Sequence, residues 1–139
     1  MNAVLPHPLS SLIDAWNAHD SERVSSFYTA DFEGVDLSQA QMAVQGLAGI
    51  RRVLAAAWRA FPDLELIPEE LIADHDRIAV FWLARGTHQG RLLNIPPTGR
   101  KVQWRGVSWL TWKEEKIERA TYLWDLAGLL RSLGLLPDL

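Results

Sequence analysis

Lys101-Val-Gln-Trp-Arg-Gly-Val-Ser-Trp-Leu-Thr-Trp-Lys-Glu-Glu-Lys-Ile-Glu-Arg-Ala-Thr-Tyr-Leu-Trp124 reads as two long strands joined by a tight turn at Glu114-Glu115. If those two residues form the loop, Lys113 faces Lys116 in an antiparallel pair. Extending that register sets Trp104 opposite Asp125, Ser108 opposite Thr121, Leu110 opposite Arg119 and Trp112 opposite Ile117, all on one face. Val107, Trp109, Tyr122 and Trp124 then fall on the other. A single bulge exchanges the faces, because one residue of slip turns every side chain over.

Upstream, the period-two pattern continues back through Arg77 to Arg85 and Leu64 to Ala73, with a turn at Asp74-His75-Asp76. A long connection from Gly86 to Arg100 holds a Pro-Pro-Thr-Gly turn. Before Pro62 the period is helical. Leu9, Leu12, Ile13 and Trp16 recur at helical spacing after Pro8. Asp20 or Ser21 caps a shorter helix through about Tyr28. A third helix follows Gly46 to Gly49, with Ile50, Val53, Leu54, Ala57, Trp58 and Phe61 as its apolar stripe. After Trp124 comes a short helix bearing Leu126, Leu129, Leu130 and Leu133, ended by Gly134. Helices followed by a bent antiparallel sheet predict an α+β fold.

The chain has 139 residues, which predicts a single domain over 1–139 with a core of its own. Seven tryptophans, against four phenylalanines and two tyrosines, exceed the roughly one or two expected at this length. Fourteen Lys+Arg balance seventeen Asp+Glu for a net charge of −3, with no long run of either sign, so no nucleic-acid surface is expected. There is no cysteine, which excludes disulfides, thiolate metal sites and thiol nucleophiles. The start, Met-Asn-Ala-Val-Leu-Pro-His-Pro, lacks a basic stretch followed by an apolar one, and no apolar run approaches the roughly 20 residues of a membrane span. A cytoplasmic protein without membrane contact is the default expectation.

Gly86-Thr87-His88-Gln89-Gly90, then Ile95-Pro96-Pro97-Thr98-Gly99-Arg100, Lys116-Ile117, and Asp125-Leu126-x-x-Leu129-Leu130-x-x-Leu133-Gly134 resemble the SnoaL-like polyketide cyclases. Trp16-Asn17-Ala18-His19-Asp20 and Ala60-Phe61-Pro62-Asp63-Leu64 are similar to that family's helix ends. The likeness runs from about residue 9 to residue 136. It implies the cone-shaped fold of nuclear transport factor 2-like proteins, with helices closing over a curved sheet around an apolar pocket, usually in a homodimer. It also implies an intramolecular aldol closure that uses neither metal nor organic cofactor. The chain departs from the family pattern at Asn94, at Glu114-Glu115 and at Ser132. It also departs on the penultimate strand, which carries Ser108 and Thr111 but no histidine to partner an acid/base aspartate.

Asp125 is the first candidate for chemistry. Proton removal next to a carbonyl needs a base, and one carboxyl can both take and return the proton if its pKa lies near working pH. Trp104 and Leu123 as neighbours would supply the desolvation that raises it. Asp125 also stands where the last strand meets the last helix, a cap position worth about 1 kcal/mol. His88 extends the alternation of Trp82 and Ala84 inward, either to polarise a substrate or to bond backbone in the Pro97-Thr98-Gly99 turn. Trp82, Trp104, Ser108, Thr121 and Leu123 are expected in the pocket wall, with Tyr28 and Trp16 contributed by the helices. Histidines at metal-ligand spacing are absent, so no metal site is expected.

These readings predict a cofactor-free enzyme acting on a small apolar or polycyclic molecule. The rivals are a non-catalytic binding protein using the same pocket, or a hydrolase or isomerase pairing Asp125 with His88. The apolar face with Val107, Trp109, Tyr122 and Trp124 predicts a homodimer.

Overall fold

The computed structural model describes residues 7–138. Residues 1–6, read above as carrying no secretion signal, lie outside the described residues. The elements run α1 (His7–Asn17), α2 (Ser21–Ser25), β1 (Tyr28–Asp36), a 3-10 turn (Leu37–Gln39), β2 (Met42–Gln45), α3 (Gly46–Ala60), β3 (Glu65–Asp74), β4 (Arg77–Thr87), β5 (Lys101–Lys113), β6 (Lys116–Trp124) and α4 (Leu126–Ser132). One six-stranded sheet has the order β2-β1-β6-β5-β4-β3, with β1 and β6 parallel and the other pairs antiparallel. The expected α+β architecture is present.

The expected helix through Tyr28 is instead a single short helix, α2, capped by the Asp20 carboxylate on the Arg23 N–H at 3.1 Å. Two strands follow that the periodicity did not announce. In β1 the buried residues are Tyr28, Phe32 and Asp36, spaced by four rather than two, with a register shift between Tyr28 and Glu33. That spacing imitates a helix face and hides the strand.

The helices cover one face of the sheet, here called the concave face. Leu9, Leu12 and Ala15 of α1 and Ile50 and Leu54 of α3 meet Val80, Leu110, Ala120, Phe32 and Tyr28 in the main cluster. A second cluster joins Leu129 and Leu133 of α4 to Phe61, Leu64, Ala84 and Val102. Burying each such side chain stabilises the fold by roughly 1.5–3 kcal/mol. The chain leaves α3 at Phe61-Pro62, where the proline ring ends the helix. Gly90 returns against that end. The Gln89 and Gly90 N–H groups both donate to the Ala60 carbonyl at 3.1 and 3.2 Å, and a side chain at Gly90 would collide with the Arg59 backbone.

The decisive departure lies in the β5–β6 hairpin. Lys113 does pair with Lys116, and Trp112 with Ile117, as expected. The register then shifts between Thr111 and Trp112, and from there upward Thr111 pairs with Arg119, Leu110 with Ala120, Trp109 with Thr121, Ser108 with Tyr122, Val107 with Leu123 and Gly106 with Trp124. Glu118 is the extra residue of a β-bulge. Above it the faces of β6 are exchanged. Tyr122 and Trp124 turn to the concave face, whereas Thr121 and Leu123, expected in the pocket wall, lie on the outer face with Arg119. Leu123 is 50% exposed there.

Gly106 faces Trp124 across this shifted pair and also lies under the Trp82 ring. A Cβ at Gly106 would meet the Trp82 ring carbons and stand 2.8 Å from the Trp124 Cβ, all rigid neighbours. Gly106→Ala is therefore expected to cost about 1–3 kcal/mol of unfolding free energy and to shift the tryptophan emission. Urea denaturation followed by fluorescence measures both, and a variant with wild-type stability and spectrum refutes the packing.

Candidate functional site

With the bulge in place, cross-strand pairing draws a polar row over the concave face. Ser108 of β5 pairs with Tyr122 of β6, and Tyr122 with Asp36 of β1. An indole ties down each end of the row. Trp82 Nε1 donates to Ser108 Oγ at 3.0 Å, and Trp124 Nε1 donates to Asp36 Oδ2 at 2.9 Å. Gly106, one step up the sheet, leaves room for both rings. Asp36 is buried, and its remaining partners are the Ser38 N–H at 2.9 Å and Gln39 Nε2 at 2.7 Å.

The chemistry of the row is that of donors around one carboxylate. Burial pushes the Tyr28 phenol up to about 12, against hydrogen bonds with Tyr122 and Trp16 that pull it down. Burial also holds Tyr122 well above the phenol range, helped by the neighbouring Tyr28 and the Asp36 charge. Both phenols keep their protons at neutral pH. Ser108 Oγ accepts from Trp82 Nε1, and a hydroxyl that accepts still has one proton to donate. Hydroxyl donors set among indoles suit an oxygen acceptor on a flat apolar molecule.

The expected site residues divide into three groups. Trp82, Ser108 and Trp104 lie on the concave face as expected. Trp104 packs against Phe61 with ring centroids 4.8 Å apart. Tyr28 and Trp16 are also on that side, Tyr28 edge-on to Phe32 at 5.0 Å and Trp16 edge-on to Trp58 at 6.0 Å. Thr121 and Leu123 are on the opposite face for the reason given above. Tyr122 and Trp124, expected on the outer face, take their places. Asp36 was not foreseen, although Asp36-Leu37-Ser38 carries the local signal of an aspartate that bonds the backbone two residues on.

Asp125 is exposed and acts as the N-cap of α4, accepting the Gly128 N–H at 2.8 Å. The expected desolvation by Trp104 and Leu123 is not found, because the shifted register sets Asp125 beside Arg105, whose carbonyl takes the Asp125 N–H at 2.9 Å. His88 points inward and is fully buried. Its Nδ1 accepts the Thr98 N–H at 3.2 Å and lies 3.0 Å from Thr98 Oγ1. A backbone N–H can only donate, so Nδ1 is the acceptor and the ring proton sits on Nε2, which has no hydrogen-bond partner among the described residues. His88 is thus bound to the Pro97-Thr98-Gly99 turn, and no hydrogen bond joins it to Asp125.

Two open recesses lie away from the indoles. One of about 500 Å³ is lined by Asp63, Glu65, Arg85, Thr87, Lys101 and Gln103, and one of about 410 Å³ adjoins the Glu114-Glu115 turn. Among the described residues no group of three or more histidine, aspartate or glutamate side chains is placed to hold a metal ion, and no helix is long and apolar enough to cross a membrane.

The curved sheet with its covering helices is the nuclear transport factor 2 and ketosteroid isomerase-like fold. Residues 9–133 match the sequence pattern of the family described as SnoaL-like polyketide cyclase, and the chain belongs to that family. Among solved structures it is similar to AclR from Streptomyces galilaeus, provisionally assigned as a hydroxylase, at 27% identity and a TM-score of 0.84 over 96% of this chain and 82% of that one. It is also similar to a SnoaL-like polyketide cyclase from Agrobacterium tumefaciens, at 24% identity and a TM-score of 0.75 over 91% and 95%. A ketosteroid isomerase-like protein from Catenulispora acidiphila, solved with trimethylamine, has 15% identity and a TM-score of 0.81 over 96% of each chain. No functionally curated protein matches the chain.

Desolvation lowers the His88 pKa from the ordinary imidazole value of 6.5, and the Gly90 backbone opposes it. Between the lowered value and 6.5 the unfolded chain binds the proton that the folded chain refuses. Stability is therefore full above about 6.5 and falls as the pH drops below it. The lowered Asp63 and Glu69 carboxylates act only below their ordinary values of 3.8 and 4.5. Melting temperatures taken from pH 7.5 to 5.0 should decline in the wild type and decline less in His88→Asn, which keeps an acceptor for Thr98 without the titration. Equal slopes would remove His88 from the account.

Proposed function

We propose that this protein binds a flat, mostly apolar carbonyl compound against the concave face and moves a proton at the carbon next to the carbonyl. The observation that carries the reading is the row Ser108–Tyr122–Asp36 between the Trp82 and Trp124 indoles. Such a row offers hydroxyl donors to a carbonyl oxygen and to the enolate that forms when the neighbouring proton leaves. Family membership and the likeness to AclR agree with a small-molecule enzyme. Asp125 is the proposed base, released from Gly128 when substrate binds, and returns the proton in the second half of the reaction.

A carrier without catalysis is the second reading, and one observation favours it: Asp125 is exposed and already engaged as a helix cap. The hydrolase or isomerase reading draws less support, since the acceptor nitrogen of His88 is taken by Thr98. A single experiment separates the first two. In deuterated buffer the α-protons of 2-tetralone exchange, and NMR follows the rate with and without protein. Asp125→Asn keeps the cap, because asparagine caps about as well as aspartate. The variant should fold and bind as the wild type does, and lose at least about tenfold in exchange rate. Binding with no acceleration by the wild type establishes the carrier, and full exchange by the variant removes Asp125 from the mechanism.

We also propose that the chain forms a homodimer through the outer face of the sheet. Phe81, Val107 and Leu123 line up across β4, β5 and β6, and Trp109 beside them is 52% exposed. Side chains of that size in one patch mark an interface. Sedimentation at micromolar concentration should show a dimer, and Trp109→Asp a monomer. A monomeric wild type contradicts the assignment.

A further inference from the structure

Trp124 offers three polar groups, and the end of β1 with the turn after it holds all of them. The Trp124 N–H donates to Ser38 Oγ at 2.6 Å, the Ser38 hydroxyl donates to the Trp124 carbonyl at 2.9 Å, and the indole N–H donates to Asp36 Oδ2 at 2.9 Å. The parallel β1–β6 ladder ends at Asp36 and Tyr122. Beyond it, side chains of residues 36 and 38 do what the ladder no longer does. Ser38 replaces the missing backbone partners, and that alone would anchor the strand end. Asp36 does something different, since it grips the ring rather than the backbone.

The choice of a carboxylate there needs a reason. Asp36 is 6% exposed, and no arginine, lysine or histidine forms an ion pair with it among the described residues. A buried charge without a counter-ion is costly unless hydrogen bonds surround it. Three donors do so here: Ser38 N–H on one oxygen, and Gln39 Nε2 and Trp124 Nε1 on the other. A neutral asparagine cannot reproduce the set. Whichever way its amide is turned, an N–H group replaces one accepting oxygen and meets a donor. The position demands an acceptor at both oxygens, and one of the groups served is the indole that walls the polar row.

We infer that Asp36 is a positioning residue of the concave-face site: it fixes the Trp124 ring as one wall, opposite the Trp82 ring that Ser108 fixes. This rests on the reading of that face as a ligand site. Asp36 acts through the indole N–H and does not itself touch the ligand. Removing the bond from either side frees the ring to turn about its side-chain torsions and costs affinity, while the outer face and the α4 cap are undisturbed.

The test breaks the same bond from both ends. Asp36→Leu, of the same branched shape but with no acceptor, removes it from the acceptor side. Trp124→3-benzothienylalanine, introduced at that one position, keeps the ring shape and removes only the N–H. The probe is 2-tetralone, with binding read by tryptophan fluorescence, and with the indole N–H resonances recorded on the free protein. Each single variant should weaken 2-tetralone binding about tenfold, and the double variant should lose no more than either, since a shared interaction is lost only once. In Asp36→Leu the Trp124 indole resonance should move to the position of an unbonded N–H. Should Asp36→Leu fail to fold, the benzothienyl protein alone carries the test, and wild-type affinity in it overturns the inference. Additive losses in the double variant, or wild-type affinity in either single one, overturn it as well. Failure of the wild-type protein to bind 2-tetralone overturns the concave-face site itself, and the inference with it.

Discussion

The shape of the site depends on one extra residue in β6. Glu118 interrupts the ladder between the Trp112–Ile117 and Thr111–Arg119 pairs, and every pair above it moves by one. Without the bulge, Thr121 and Leu123 would meet the helices, and Tyr122 and Trp124 would face outward. With it, a phenol and an indole enter the concave face and a threonine and a leucine leave. A bulge also increases local twist, which suits a sheet that must curve around helices. The same local event thus shapes the sheet and selects the side chains that line it.

The consequences run through the tryptophans. Trp82 and Trp124 reach the concave face from strands on either side of β5, and both press on Gly106, the one residue between them without a side chain. Each ring is polar at one end, so each needs an acceptor when buried. Ser108 and Asp36 are those acceptors. Trp109 stays outside, half exposed. Trp58 and Trp112 keep indole N–H groups that are buried without partners, a cost borne by core packing rather than by the polar row.

Much of this was legible in the sequence, and the failures have physical causes. The α1 and α3 stripes, the β3–β4 turn at Asp74-His75-Asp76, the Glu114-Glu115 loop and the inward direction of His88 all follow from period and turn chemistry. β1 was lost because its buried residues recur every four positions across an irregular register. The faces of β6 were inverted because the pairing was carried past Trp112 without a break. A trace of the bulge is present in the chain: Ile117 and Ala120 are both buried, three apart, with the polar Glu118 and Arg119 between them. Strict alternation cannot bury both on one face. The pairing of Trp82 with Ser108 and of Trp124 with Asp36 is a matter of tertiary reach that no spacing encodes.

Two carboxylates lie near the end of β6, and their surroundings differ. Asp36 is buried, and its oxygens are committed to three donors. Asp125 has a single donor, Gly128, and stands in water. A base must have a lone pair that can be freed at modest cost, and giving up one exposed cap bond costs about 1 kcal/mol, far less than dismantling a buried three-donor cage. A base must also lose its water when the ligand arrives, and Asp125 directly follows Trp124, the ring that Asp36 holds in place. On the proposed reading, the carboxylate that must be freed is attached to a ring that Asp36 holds in place. On the same reading, desolvation of Asp125 begins with substrate binding instead of being built into the free protein.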